Sequence, residues 1–132
     1  MVNVEPGLTG ELSVDITDEN TTRHLSGVRV FTTPHLVALL EHTCMKAIEP
    51  YFEDGESSVG IGINMRHLAG TPKGVKVRAT CRSVEVKKGR ILTFAVEAYD
   101  DQEKVADGTH WRAIVQMDEV ATRMRRKAGL EA

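Results

Sequence analysis

The second half of this chain constrains its fold most. Four runs rich in alternating apolar residues follow one another: Ser58 to Ala69, Gly74 to Val86, Arg90 to Asp100 and Lys104 to Met117. The links between them are "GTPK", "KKGR" and "DDQE". Links this short join antiparallel neighbours, because a parallel crossover needs a dozen residues or more. "KKGR" gives the stronger hairpin signal, with Gly89 placed to take a positive φ. A four-stranded antiparallel meander is expected.

Upstream lies "VFTTPHLVALLEHTCMKAIEP", Val30 to Pro50, whose pattern predicts a helix. Thr33 suits the N-cap, Pro34 the first helical position, and Pro50 closes the pattern after about four turns. Leu36, Val37, Leu39, Leu40, Met45 and Ile48 occupy most of its faces, so something should cover it nearly all round. Before it, Leu8 to Ile16 alternates as a half-buried strand, and "TDENTTRHLSG" reads as a loop. "YFEDGESS", Tyr51 to Ser58, is a turn-rich linker. The order β–α–β–β–β–β implies an α+β fold, with one long helix laid across a curving antiparallel sheet. The 132 residues suit a single domain, with 1–8 and 118–132 as terminal segments. Such a sheet leaves edges exposed, and dimerisation through an edge is the natural way to manage them.

Composition narrows the function. With 41% hydrophobic and 27% charged residues the chain is not a mostly disordered one. A net charge of -2 gives no basic field for nucleic acid. The exception, "RMRRK" from Arg123 to Lys127, reads as a solvated terminal segment or as a set of phosphate contacts. Cys44 and Cys81 sit in apolar patterns without metal or disulfide spacing, so buried reduced thiols are expected. The N-terminus lacks a signal-peptide pattern, and no apolar run approaches the roughly 20 residues of a membrane span. The expectation is a cytoplasmic protein without nucleic-acid or membrane partners.

Within this frame Glu41 is out of place. A carboxylate on an enclosed helix face either finds partners or has its proton affinity shifted toward base or nucleophile work. A rim position, or pairing with Lys46 or His42, would equally explain it. Thr33 serves a helix cap or, through the free N–H groups beside it, a developing oxyanion. His67 lies near the end of a strand, as a packed residue or as a general base. Gly60 and Gly62 interrupt the same strand, which marks a bulge or a close approach to backbone or ligand. His110 and Arg112 share one strand face with Gly108. Thr33 and Glu41 stand eight residues apart, roughly 12 Å along the helix and about 80° around it. They do not touch within one helix, so either they act separately or a second subunit brings copies together. No Walker loop, Rossmann glycine pattern, G-x-S-x-G or zinc pairing is present. His35 and His42 are two turns apart, too far to share an ion without a third element.

Together these residues carry a resemblance. The order β–α–β–β–β–β with an enclosed helix is similar to the hotdog fold of acyl-CoA thioesterases and dehydratases. "VFTTPHLVALLEHTCMKAIEPYFEDGESSVGIGINMRHLAGTPKG" resembles the fluoroacetyl-CoA thioesterase-like branch. The matching positions are Thr33, Glu41, Cys44, Pro50, Gly60, His67, Thr71, Pro72, Gly74, Gly108, Thr109, His110 and Arg112. They run collinearly through about two thirds of the chain, and "TRHL" fits the N-terminal loop.

The resemblance implies a homodimeric thioesterase, whose dimers are free to pair further into a tetramer, with Thr33, Glu41 and His67 as catalytic residues. Gly60, Arg112, Phe31 and His110 would line the acyl or CoA site, and neither metal nor cofactor would be needed beyond the CoA of the substrate. One departure bears on specificity. Only "SGVR" separates "RHL" from "VF", where the fluoroacetyl-specific enzyme has a longer insert with a gating Phe, and Gly27 falls near its place. The expected activity is therefore hydrolysis of a short-chain acyl-CoA. A non-catalytic acyl-CoA-binding or sensor domain is the alternative, and hydration of an enoyl thioester a third.

Overall fold

The structure, a computed structural model, describes residues 2–23 and 27–130. Its strands are β1 (Thr9–Asp15), β2 (Thr21–Arg23), β3 (Arg29–Phe31), β4 (Glu56–His67), β5 (Lys76–Lys87), β6 (Ile91–Tyr99) and β7 (Lys104–Gln116). Helix α1 (Thr33–Ile48) follows β3, and α2 (Met117–Lys127) follows β7. Five strands form one antiparallel sheet in the order β1-β5-β6-β7-β4.

The meander holds for β5, β6 and β7. At the "KKGR" turn both Lys88 (φ 57°) and Gly89 (φ 63°) are left-handed, and the Arg90 N–H donates to the Lys87 carbonyl at 3.0 Å. That backbone matches the twist of the flanking strands. The pairing of β4 differs from expectation: it lies beside β7, not β5. Three strand spacings separate β4 from β5, about 14 Å. The residues from 68 to 75 are enough to cross that gap when extended. The crossing is tied down by the Thr71 hydroxyl, which donates to Asp100 at 3.0 Å.

Helix α1 lies across one sheet face. Leu36, Leu39, Leu40, Cys44 and Ile48 pack in one core with Val77, Ala79, Leu92, Phe94, Val96 and Ala98. Each large side chain buried there contributes about 1.5–3 kcal/mol. The cover is less complete than the apolar pattern implied. Val37, Glu41 and Met45, at i, i+4 and i+8, form a half-buried stripe, while His35, His42 and Lys46 are exposed.

Three further local expectations change. The "TDENTTRHLSG" loop contains β2, which pairs with β3; His24 and Leu25 lie outside the described residues. The linker is shorter than read, since strand β4 begins at Glu56. "RMRRK" belongs to α2, whose acidic first turn (Asp118, Glu119) and basic last turn (Arg125, Arg126, Lys127) complement the helix dipole. At the other end, Val2 is buried and its N–H donates to the Gly89 carbonyl at 2.9 Å. Among the described residues no helix is long and apolar enough to cross a membrane.

Candidate active site

The helix start decides where Thr33 points. The N-cap is Thr32, not Thr33: its backbone is extended (φ -84°, ψ 152°) and its Oγ1 accepts the His35 N–H at 3.3 Å. Thr33 is then the first helical residue and Pro34 the second. Of two adjacent threonines only one can cap, and capping by Thr32 frees the Thr33 hydroxyl. It forms a 2.8 Å hydrogen bond with Nδ1 of His67, from the far end of β4. The His67 Nε2 is enclosed and meets no hydrogen-bond partner among the described residues.

A second polar group gathers where β4 and β7 pair. Gly60 stands opposite Arg112 and Ile63 opposite His110, with a bulge between Gly60 and Gly62. A Cβ on Gly60 would lie 2.7 Å from Glu41 Oε2, 3.3 Å from His110 Cε1 and 3.4 Å from Arg112 Nη1. The missing side chain therefore leaves a hollow with Glu41 on one wall and His110 and Arg112 on the others. Glu41 Oε2 comes within 4.0 Å of His110 Nε2. Glu41 keeps 38% side-chain exposure, whereas His110 keeps 1%.

Burial lowers the proton affinity of His110, and the nearby Arg112 adds to this; the Gly62 carbonyl and Glu41 act in the opposite direction. Burial likewise pulls Arg112 below its ordinary value, with Cys44 and Glu41 opposing. Nearby, Cys44 and Cys81 are free and buried. The hydrogen bond with Cys81, then burial, pushes the Cys44 thiol up, as suits a packing residue rather than a nucleophile.

The structure thus brings together Thr33 with His67, and Glu41 with Gly60, His110 and Arg112. Within one chain it does not join the two groups. Phe31 lies elsewhere, buried beside a cavity of about 270 Å³ also lined by Val14, Leu39 and His42. Sequence reasoning missed Ser58, which holds Arg112 through both its hydroxyl (2.9 Å) and its carbonyl (3.1 Å). The signal that could have found it is its place two residues before Gly60 on the same strand. Among the described residues no three His, Cys, Asp or Glu side chains are gathered as metal ligands.

Known proteins resemble this chain in sequence and in fold. Residues 16–118 match the FlK family, described as fluoroacetyl-CoA-specific thioesterase. The fluoroacetyl-CoA thioesterase of Streptantibioticus cattleyicolor is 40% identical over 100 residues, 74% of this chain and 70% of that protein. A solved structure of the fluoroacetyl-CoA thioesterase FlK superposes with a TM-score of 0.86 at 32% identity, covering 95% of this chain and 98% of that one. A hypothetical protein of Thermus thermophilus, a thioesterase superfamily member, superposes with a TM-score of 0.88 at 27% identity, covering 98% and 96%. With the curled five-stranded sheet, the long helix and a match across most of its length, the chain is a hotdog-fold thioesterase and belongs to the fluoroacetyl-CoA-specific thioesterase family.

Proposed function

We propose that this protein hydrolyses a short-chain acyl-CoA to the free acid and CoA, with Thr33, Glu41 and His67 as its catalytic residues. The observation that carries the reading is the Thr33–His67 hydrogen bond, made by a threonine relieved of capping to a histidine whose second nitrogen is enclosed and has no hydrogen-bond partner among the described residues. Pro34 has no N–H, and the amides of His35 and Leu36 both bond to Thr32. The Thr33 amide and hydroxyl, at the positive end of the helix, are then the donors of the first turn suited to a thioester oxygen. Glu41 supplies the attacking carboxylate or takes the proton of an attacking water; His67 positions that water or assists departure of the thiolate. Gly60 leaves the room in which the carbonyl meets Glu41. Arg112 and His110 close the back of that room, and Phe31 shapes the wall of the neighbouring cavity.

The two groups combine if two chains pair through β4. This edge strand exposes Val59 and Ile61, and the half-buried stripe of Val37, Glu41 and Met45 lies on the helix above the sheet. An antiparallel β4–β4 pairing centred between Ile63 and Asn64 sets His67 of one chain opposite Gly60 of the other. Thr33 and His67 would then face the Glu41 of the second chain. The reading places the protein in the cytoplasm, acting on a soluble thioester.

Thiol release from a panel of short acyl-CoA esters tests the activity, with Glu41→Ala as control. Binding of the esters without release over hours would favour a sensor domain instead. Mixing inactive Thr33→Ala and Glu41→Ala chains tests the shared site. Random pairing should restore about a quarter of the parental activity if each site draws on both chains, and none if it does not.

A further inference from the structure

Arg112 is a cation withdrawn from water, 5% exposed. Its Nε–H donates to the Ser58 hydroxyl at 2.9 Å and an Nη2–H to the Ser58 carbonyl at 3.1 Å. An Nη1–H donates to His110 Nε2 at 3.1 Å. That nitrogen is free to accept because the other, Nδ1–H, donates to the Gly62 carbonyl at 2.8 Å, which sets the tautomer. All three acceptors are neutral. They fix the guanidinium in position, yet none balances its charge, and buried charges require balance.

The carboxylate facing it is Glu41. Glu41 Oε2 and Arg112 Nη1 lie 2.7 Å and 3.4 Å from the same point above Gly60. They are therefore within about 6 Å of each other, inside the range at which opposite charges act strongly in a protein. Glu41 is the half-exposed partner, its carboxylate at the end of a flexible side chain; Arg112 is buried and held by three bonds. The rigid member sets the place of the flexible one.

We propose that Ser58 and His110 are positioning residues: by holding the buried Arg112 guanidinium rigid, they anchor the Glu41 carboxylate over the Gly60 hollow, where it meets the thioester. This rests on the catalytic reading of Glu41. In it, His110, at the back of the hollow and 4.0 Å from Glu41 Oε2, acts on that carboxylate by holding Arg112, and the glycine at 60 is what lets Arg112 and Glu41 see the same space.

The test compares His110→Phe, which keeps a ring but no acceptor, with His110→Gln, which offers an oxygen near the place of Nε2. Steady-state hydrolysis by His110→Phe should show kcat lowered about 100-fold with KM changed less than about threefold. His110→Gln should recover to within about tenfold of the parent, and Ser58→Ala should fall between the two. A raised KM with unchanged kcat in His110→Phe, or equal losses in the Phe and Gln variants, would overturn the assignment. A second arm needs no activity: urea unfolding midpoints of Glu41→Gln, His110→Phe and the double variant. Non-additive shifts are expected, because both variants act on Arg112; additive shifts would overturn the arrangement. A parent chain that releases no thiol would defeat the hydrolase reading and leave this second arm readable.

Discussion

Two arginines mark the two faces of the β4–β7 pair, and they do opposite things. On the outer face Arg66, its side chain 72% exposed, grips Asp107 with two bonds of 3.1 and 3.0 Å. On the inner face Arg112, 5% exposed, touches no carboxylate directly among the described residues and is held by a serine and a histidine. The exposed pair has good geometry but is screened by water and salt, so it contributes little to stability. Among the described residues the buried arginine makes no carboxylate bond, and Glu41 is the carboxylate that acts on its charge. Contact geometry alone would rank Arg66 first; under the proposed function it is the buried Arg112 that bears on the chemistry.

The contrast breaks most sharply at Glu41. Glu41→Ala should lower turnover about 10³-fold while the urea midpoint stays close to that of the parent, because the side chain is half-exposed. Unchanged thiol release in that variant would remove the inner face from the chemistry altogether. Gly60→Ala should cost about 100-fold, since its Cβ would push the Glu41 carboxylate out of position. That carboxylate is the end of a flexible side chain, so circular dichroism should report an intact fold.

The helix start gives an intermediate effect that separates two neighbouring threonines. Thr32→Ala removes the cap and should cost about 1 kcal/mol in chemical denaturation. Thr33→Ala should leave stability nearly unchanged and lower kcat about 100-fold through loss of the pair with His67. If the two variants exchange these phenotypes, the assignment of the cap is wrong.

A smaller effect concerns pH. His110 is buried with its proton affinity lowered from the ordinary 6.5. The unfolded chain therefore binds the extra proton first as pH falls. The stability this provides is complete above about pH 6.5 and is lost as pH drops toward the folded-state value. Unfolding midpoints measured from pH 7.5 to 5 should decline in the parent and decline less in His110→Gln. Equal slopes would place His110 in a more solvated setting than the structure gives it. The smallest effect is expected outside: Arg66→Ala should leave both melting temperature and turnover close to those of the parent.

Much of this was legible in the residues. Short links and alternating runs predicted the antiparallel strands, and "KKGR" predicted its left-handed turn; the left-handed Lys88 beside Gly89 was not foreseen. The pairing of β4 was not legible, because linker length permits either a hairpin or a crossing and only packing over α1 selects between them. Helix α2 did leave a signal, in the acid-to-base gradient from Asp118 to Lys127 and the spacing of Met117, Val120 and Met124; its exposed apolar face hid it. The choice between Thr32 and Thr33 as cap was ambiguous by composition. It was settled by where His67 arrives from a strand 34 residues away.

By itself, the sequence determined the order of the long helix and the five strands of the main sheet, because periodicity and turn chemistry set them, and it supplied the residue types that the proposed site uses. The tertiary structure alone decided the partnerships: Thr33 with His67, Glu41 with Arg112 across the Gly60 hollow, and Ser58 and His110 behind them. Those depend on a bulge, a strand register and the depth of burial. Each arises only when distant segments pack against one another.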